Sequence, residues 1–409
     1  MLPTGGSAAV VAVLLAAFIA LTATGDPESD LSTEALVIPA TTTVLERSAP
    51  AREAEKTVGE PRDSGAAASF VDVADEGFPP PLGIREEASA SSSPAPAAPS
   101  GVAPVRIARP TCASSLAAPT TRTAPFTGLS ASIPSNMPAV LVKVSNNSWK
   151  SRSALIGLDR ADIVFEERIE ASATRFAAIF HSSVPANVGP VRSGRTTDIQ
   201  ITQNLNRPVM GYSGSNQGVA AQIKFAADNG LLVPYVNTDS APFARDGRYK
   251  APDNLFVDPA SLGGCGGGGD PTAIFSYGAP SSTTAESASS VSLQARSPYR
   301  FDWDGSRWVR SQDGSPHTTR TGAAIAPANV VVLFVPYVQS VIDSASVDAQ
   351  TIGSGSAWIL RDGTITTGSW SRSKGHLPYT LTDGAGVAAT LTSGQTWVVL
   401  APAGSATWN

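Results

Sequence analysis

Apolar residues fall along this 409-residue chain in three regimes. A continuous run occupies residues 8–23. Residues 26–124 then hold only Phe70 and Phe78 as aromatics, and from Phe126 onward short apolar runs return with strand and helix periods. The first run has the length of a signal-peptide core and is short for a membrane span, and Ala23-Thr24-Gly25 offers small residues for cleavage. Residues 1–25 therefore predict export, as a signal peptide or membrane anchor. Residues 26–124, typified by "SASSSPAPAAPSGVAP", are rich in Ala, Ser and Pro and bury too little apolar surface to offset their ordering entropy. They read as a disordered tether.

Periodicity over 125–262 predicts a mixed α/β domain. "PAVLVKV" (138–144) reads as a buried strand and 161–183 as a β-hairpin. A turn centred on Ser172-Ala173 sets Glu170 opposite Arg175 and Phe165 opposite Phe180. Glu167 then shares an apolar face with Ile163, Phe165 and Phe176. A carboxylate there requires a partner or a raised pKa. A helix is predicted over 196–204. Next come a strand near Val209, a turn at Ser213, Gly214, Ser215 and Asn216, and a helix burying Val219, Ile223 and Ala226. A strand that feeds a helix through such a turn leaves N–H groups suited to an anion.

"GGCGGGGD" and "SSTTAESASS" read as a flexible linker over 263–297. Beyond it, Asp304-Gly305, Asp313-Gly314, Asp362-Gly363 and Asp383-Gly384 punctuate β-rich runs such as "NVVVLFVPYV" and "QTWVVLAP". The fold class predicted is α+β: an N-terminal mixed α/β domain followed by an antiparallel β-rich C-terminal domain over 298–409. Six of the seven tryptophans lie in that second half. Exposed, they would stack on sugars; core packing is the expectation.

Charge refines this division. Residues 1–100 hold 14 acidic and 5 basic side chains, leaving 20 acidic and 24 basic in the rest of the chain. No dense basic stripe marks a nucleic-acid surface, so no nucleic-acid partner is expected. Cys112 and Cys265 could pair in an oxidising compartment, and neither they nor His181, His317 and His376 show zinc spacing. No metal or cofactor is expected.

"PFTGL" (125–129), "ADIVFEE" (161–167), "TRFAAIFHS" (174–182), "VGPVRSGR" (188–195), "APDNLF" (251–256) and "GQTWVVLAP" (394–402) together resemble the YerB-like lipoproteins. These are exported bacterial proteins with a domain of unknown function. The resemblance covers about residues 125–409 and implies an envelope location, an α+β first domain and a β-rich second one. It supplies no reaction. The family usually carries an Asp and a His after its first strand, where this chain has Ser145 and Asn147. It usually carries a His before the Asn-Leu pair, where Asp253 stands, and a Gly-Gly hairpin tip, here Ala171-Ser172. A lipobox cysteine is expected too, and none occurs among the first 111 residues.

Arginine presents a rigid fork suited to carboxylate or phosphate. The candidate ligand-binding residues are therefore Arg192, Arg195, Asp198, Arg175, Glu167 and the turn Ser213, Gly214, Ser215 and Asn216. Arg248 and Asn254 are weaker additions from a polar loop. Arg192 and Arg195 are expected to face the 213–216 turn across a cleft; alternatively Arg175 or Arg192 neutralises Glu167 inside the core. The function expected is an extracytoplasmic protein that binds an anionic cell-wall or envelope component and meets the membrane through its N-terminal segment. Two alternatives are a cell-wall hydrolase using Ser213 or Ser215 with His181, and a scaffold without ligand.

Overall fold

The computed structural model describes residues 116–237, 242–282 and 284–409. The predicted signal segment and nearly all of the predicted tether lie outside the described residues. The last residues of the expected tether form a strand, since Pro119–Thr123 pairs antiparallel with Ser130–Pro134.

The first half contributes β1 (Val140–Val144), α1 (Trp149–Ser153), β2 (Ile163–Arg168), β3 (Thr174–Phe180), α2 (Thr196–Thr202), β4 (Val209–Tyr212), α3 (Gln217–Asp228), β5 (Val233–Val236) and α4 (Pro259–Gly263). The second contributes β6 (Tyr299–Trp303), β7 (Trp308–Gln312), β8 (Asn329–Phe334), β9 (Gly353–Arg361), β10 (Thr364–Arg372) and β11 (Thr396–Ala401), with shorter strands between. One large sheet runs β10-β9-β8-β11-β2-β3-β1-β4-β5, extended at β10 by Glu286–Ser287 and Thr380–Asp383. A second, five-stranded sheet contains β7 and β6. The protein is mostly β, with few helices.

Two expectations are corrected here. The halves are not two bodies on a flexible joint: β11 of the second half pairs in parallel with β2 of the first, so one sheet spans both. Nor is the second half purely antiparallel, since β8 and β11 are parallel. The expected linker is docked and partly strand. Gly268 donates its N–H to the Arg207 carbonyl (2.9 Å), and a Cβ there would lie 2.0 Å from the Asn206 carbonyl oxygen. That close backbone approach explains the glycine better than flexibility does. Within the same expected linker, Ser290–Leu293 pairs with both β6 and Ala406–Trp408.

Each face of the large sheet covers one core, and both cores mix residues from the two halves. Val142, Val164, Phe176, Val332 and Trp397 pack against Phe301 and Trp308 of the second sheet. On the opposite face Leu141, Phe165, Ala177, Val331 and Val398 pack against Ile201 of α2 and Val219, Ile223 and Ala226 of α3. Those three α3 positions are the predicted ones, spaced to fall on one helix face. Trp308, Trp370 and Trp397 are fully buried, in keeping with core packing.

The hairpin register differs from expectation by an odd number. Glu167 pairs with Arg175 and Phe165 with Ala177. Phe176 therefore sits on the face opposite Glu167, because one step along a strand reverses the side chain. The cause is the tip, a tight 3₁₀ turn at Glu170–Ser172 with Ala171 (φ 49°) and Ser172 (φ 58°) both left-handed.

Candidate functional site

Strands β8, β11, β2, β1, β4 and β5 all point the same way, with β3 and β9 opposed. Their carboxyl ends meet at one edge, where open α/β sheets place ligands. Most of the predicted site residues lie at this edge.

The innermost group is built around Lys143, which sequence reasoning passed over as part of an apolar strand. Lys143 is fully buried and projects from β1 toward the helical face. It reaches across β3 at Ala177, a side chain too small to block it, and binds Glu167 Oε1 of β2. Its ammonium also donates to Asp198 Oδ1 (2.8 Å). Asp198 Oδ2 accepts the Arg195 N–H (2.7 Å), closing the first turn of α2. Glu167 Oε2 is buried without a hydrogen-bond partner. Burial pushes the Glu167 carboxyl up to about 7 against the pull of Lys143, and the Asp198 charge adds to the rise. The signal for Lys143 was present: a lysine inside "VLVKV" must find carboxylates when its strand is buried on both faces.

Arg195 is engaged within the protein. Its Nε and Nη2 grip the two Glu170 oxygens (2.9 Å each), and Ser346 Oγ donates to Glu170 Oε1 (2.6 Å). Burial would raise the Glu170 pKa, but Arg195 outweighs it and holds the carboxyl at about 2. The alternative pairing of Glu167 with an arginine is corrected as well, since Lys143 is its cation.

Arg192 and Arg175 form a second group. Both are buried, and their guanidinium groups converge on the Asn147 side-chain amide; turned with its oxygen toward them, that amide accepts from Arg192 at 2.9 Å and from Arg175 at 3.3 Å. Arg175 also donates to the Ser193 carbonyl (3.3 Å), and the Arg192 N–H donates to the Lys143 carbonyl (2.9 Å). Asp253 lies close enough for Arg192 and Lys150 to act on its carboxylate, although burial dominates and raises its pKa. Asp253 Oδ1 and Ser145 Oγ are buried without hydrogen-bond partners. Three of the positions that depart from the family pattern, Ser145, Asn147 and Asp253, thus lie near one pair of arginines.

The turn at Ser213, Gly214, Ser215 and Asn216 does run beside the arginine loop: Ser213 N–H donates to the Arg192 carbonyl (3.0 Å), and Gly194 N–H to the Gly214 carbonyl (2.9 Å). The helix start beyond it is taken by the protein itself. Asn216 caps α3 and donates to Asp343 Oδ2 (2.6 Å), and a Cβ at Gly218 would lie 2.9 Å from the Ile342 carbonyl oxygen. An acidic loop from the second half therefore stands where an external anion was expected. Arg248 and Asn254 also leave the cluster, for Arg248 pairs with Asp246 and Asn254 accepts from Arg245. Ser213 and His181 lie at opposite ends of the sheet, His181 following β3 and Ser213 following β4, so the expected hydrolytic pair is not assembled.

Comparison with known proteins fits this geometry. Residues 126–266 match the "Protein of unknown function (DUF3048) N-terminal domain" and 289–398 the corresponding C-terminal domain. Over 137 residues the chain is 35% identical to "Putative lipoprotein YerB" of Bacillus subtilis, a stretch covering 33% of this chain and 39% of that relative's length. Its fold is similar to the crystal structure of YerB protein from Bacillus subtilis, with a TM-score of 0.59, 22% identity, and coverage of 70% of this chain and 99% of that one. The chain belongs to the YerB-like family, whose domains have no established function.

Proposed function

We propose that the protein works outside the cytoplasm, in the cell envelope, and binds an anionic envelope component at the carboxyl edge of the large sheet. The observation that carries the reading is the convergence of Arg192 and Arg175 on Asn147. The two guanidinium groups lie together at the carboxyl edge of the sheet, and a planar fork of donors complements a carboxylate or phosphate. Cys265 is disulfide-bonded, which suits an oxidising compartment. The lipoprotein relative and the apolar run at residues 8–23 support the same location.

Calorimetric titration of the full chain with a glycerol-phosphate oligomer and with a muropeptide tests the binding. Charge-assisted contacts contribute roughly 1.5–3 kcal/mol each, so Arg192→Gln should weaken binding about 10-fold to 150-fold while Tm stays within a few degrees. Unchanged affinity in both Arg192→Gln and Arg175→Gln would reject the site.

A further inference from the structure

Trp149 is 68% exposed, whereas Trp308, Trp370 and Trp397 are buried in the cores. It stands two residues beyond Asn147, at the start of α1. That helix is held firmly. Ser148 and Ser151 form a reciprocal cap, Arg152 pairs with Asp313 (2.8 Å), and the Leu155 carbonyl accepts from the Arg320 N–H (2.6 Å). Ordering an indole on the surface beside the arginine pair exposes a large apolar area to water with no packing in return. Val191 N–H donates to the Leu255 carbonyl (2.7 Å), and Lys150 and Arg192 both act on the Asp253 carboxylate, so the helix start and the Asp253 loop flank the same arginine. Asp253 Oδ1 and Ser145 Oγ supply hydrogen-bonding atoms that nothing in the protein uses.

A flat aromatic face, an acceptor carboxylate and a nearby guanidinium are complementary to three parts of one molecule. The indole stacks on the C–H face of a sugar ring, and Asp253 accepts from its hydroxyls. Arg192 meets an acidic substituent. We propose that Trp149 and Asp253 form a sugar-binding rim beside the arginine pair, so that the ligand is a glycan carrying a carboxylate or phosphate. The inference rests on the anion-binding reading of the arginine pair and narrows its substrate class.

The full chain would be titrated with three probes: a muropeptide, the same muropeptide with its carboxylates amidated, and a glycerol-phosphate oligomer without sugar. Trp149→Ala should weaken muropeptide binding about 10-fold, Trp149→Phe should recover most of it, and neither should change binding of the sugar-free oligomer. Asp253→Asn should act with opposite signs, weakening the muropeptide and strengthening the oligomer, because it removes both a hydroxyl acceptor and a negative charge beside Arg192. A Trp149→Ala affinity for the muropeptide equal to wild type overturns the sugar rim, and preference for amidated over native muropeptide overturns the acidic substituent. If the oligomer still binds in an Arg192-dependent way, the anion reading survives alone. If no probe binds the wild-type chain, both fail.

Discussion

Glu166 and Glu167 are neighbours on β2 and face opposite sides of the same sheet. Glu166 is surrounded by donors: Arg310 Nη2 (2.9 Å) and Thr174 Oγ1 (2.8 Å) on Oε1, and Trp397 Nε1 (2.9 Å) on Oε2. Arg310 in turn lies 4.5 Å from the Tyr299 ring centroid and 5.4 Å from those of Phe176 and Trp397. Burial and the Arg310 charge hold His317 well below the usual imidazole range, so its neutral Nδ1 can accept from Arg310. Every oxygen of Glu166 is matched, and the pair ties the first half to the second sheet. Glu167 differs in each respect. It shares one lysine with Asp198, keeps one oxygen unmatched, and carries a pKa pushed into the neutral range. A matched buried ion pair acts as a structural tie, whereas a buried carboxyl short of donors keeps its proton to higher pH.

The comparison predicts unequal costs. Glu166→Ala leaves Arg310 buried without its carboxylate and strips acceptors from Trp397 and Thr174. Removing one member of such a pair costs roughly 3–5 kcal/mol, which at about 2–4 °C per kcal/mol for a body of this size lowers Tm by roughly 6–20 °C. Thermal unfolding of the full chain measures it. A loss of only a degree or two would mean that Glu166 and Arg310 are not the tie described here.

Glu167→Gln should cost far less, and its signature is in the pH dependence. A folded-state pKa raised from 4.5 to about 7 means that the native protein keeps a proton which the unfolded chain has released. Stability from this group is fully present below pH 4.5 and is lost as pH rises through about 7. Asp162, raised from 3.8 to about 6 by burial against the hydrogen bonds from Ser182 and His181, contributes with the same sign at lower pH. The glutamine variant should remove on the order of 2 kcal/mol of the stability change between pH 5 and pH 8. The part above pH 6 should flatten most, because Asp162 continues to act below it. A pH profile identical to wild type would show that Glu167 is ionised throughout.

How much of this contrast could be read from the chain depends on how local its cause is. The α3 face followed from the spacing of Val219, Ile223 and Ala226, and the predicted turn at Asp362-Gly363 is found with both residues left-handed. Glu167 stood out as a carboxylate among apolar neighbours. Its cation did not, because Lys143 lies 24 positions away and meets it only after β3 is inserted between β1 and β2. The Glu166–Arg310 pair spans 144 positions and depends on parallel pairing of β11 with β2, which no periodicity encodes. Arg192 and Arg195 look equivalent in "VGPVRSGR", and only the position of Glu170 sends Arg195 into an ion pair while Arg192 turns to Asn147.

The smallest prediction concerns the turn that sorts the two glutamates. Because side chains alternate, the β2–β3 register decides which β3 residues face Glu166 and which face Glu167, and the 3₁₀ tip sets that register. Ala171 and Ser172 occupy left-handed backbone without being glycine, a conformation that costs an L-residue roughly 1–2 kcal/mol. Part of that strain is offset because glycine loses more backbone freedom on folding. Ala171→Gly should therefore raise stability by about 0.5–1 kcal/mol, or about 1–4 °C in Tm, with both glutamates keeping their partners. Measured beside Glu166→Ala, it separates strain at the tip from the ion pair that the tip aligns. A fall in Tm would mean that the alanine methyl makes a contact worth more than the relief of its backbone.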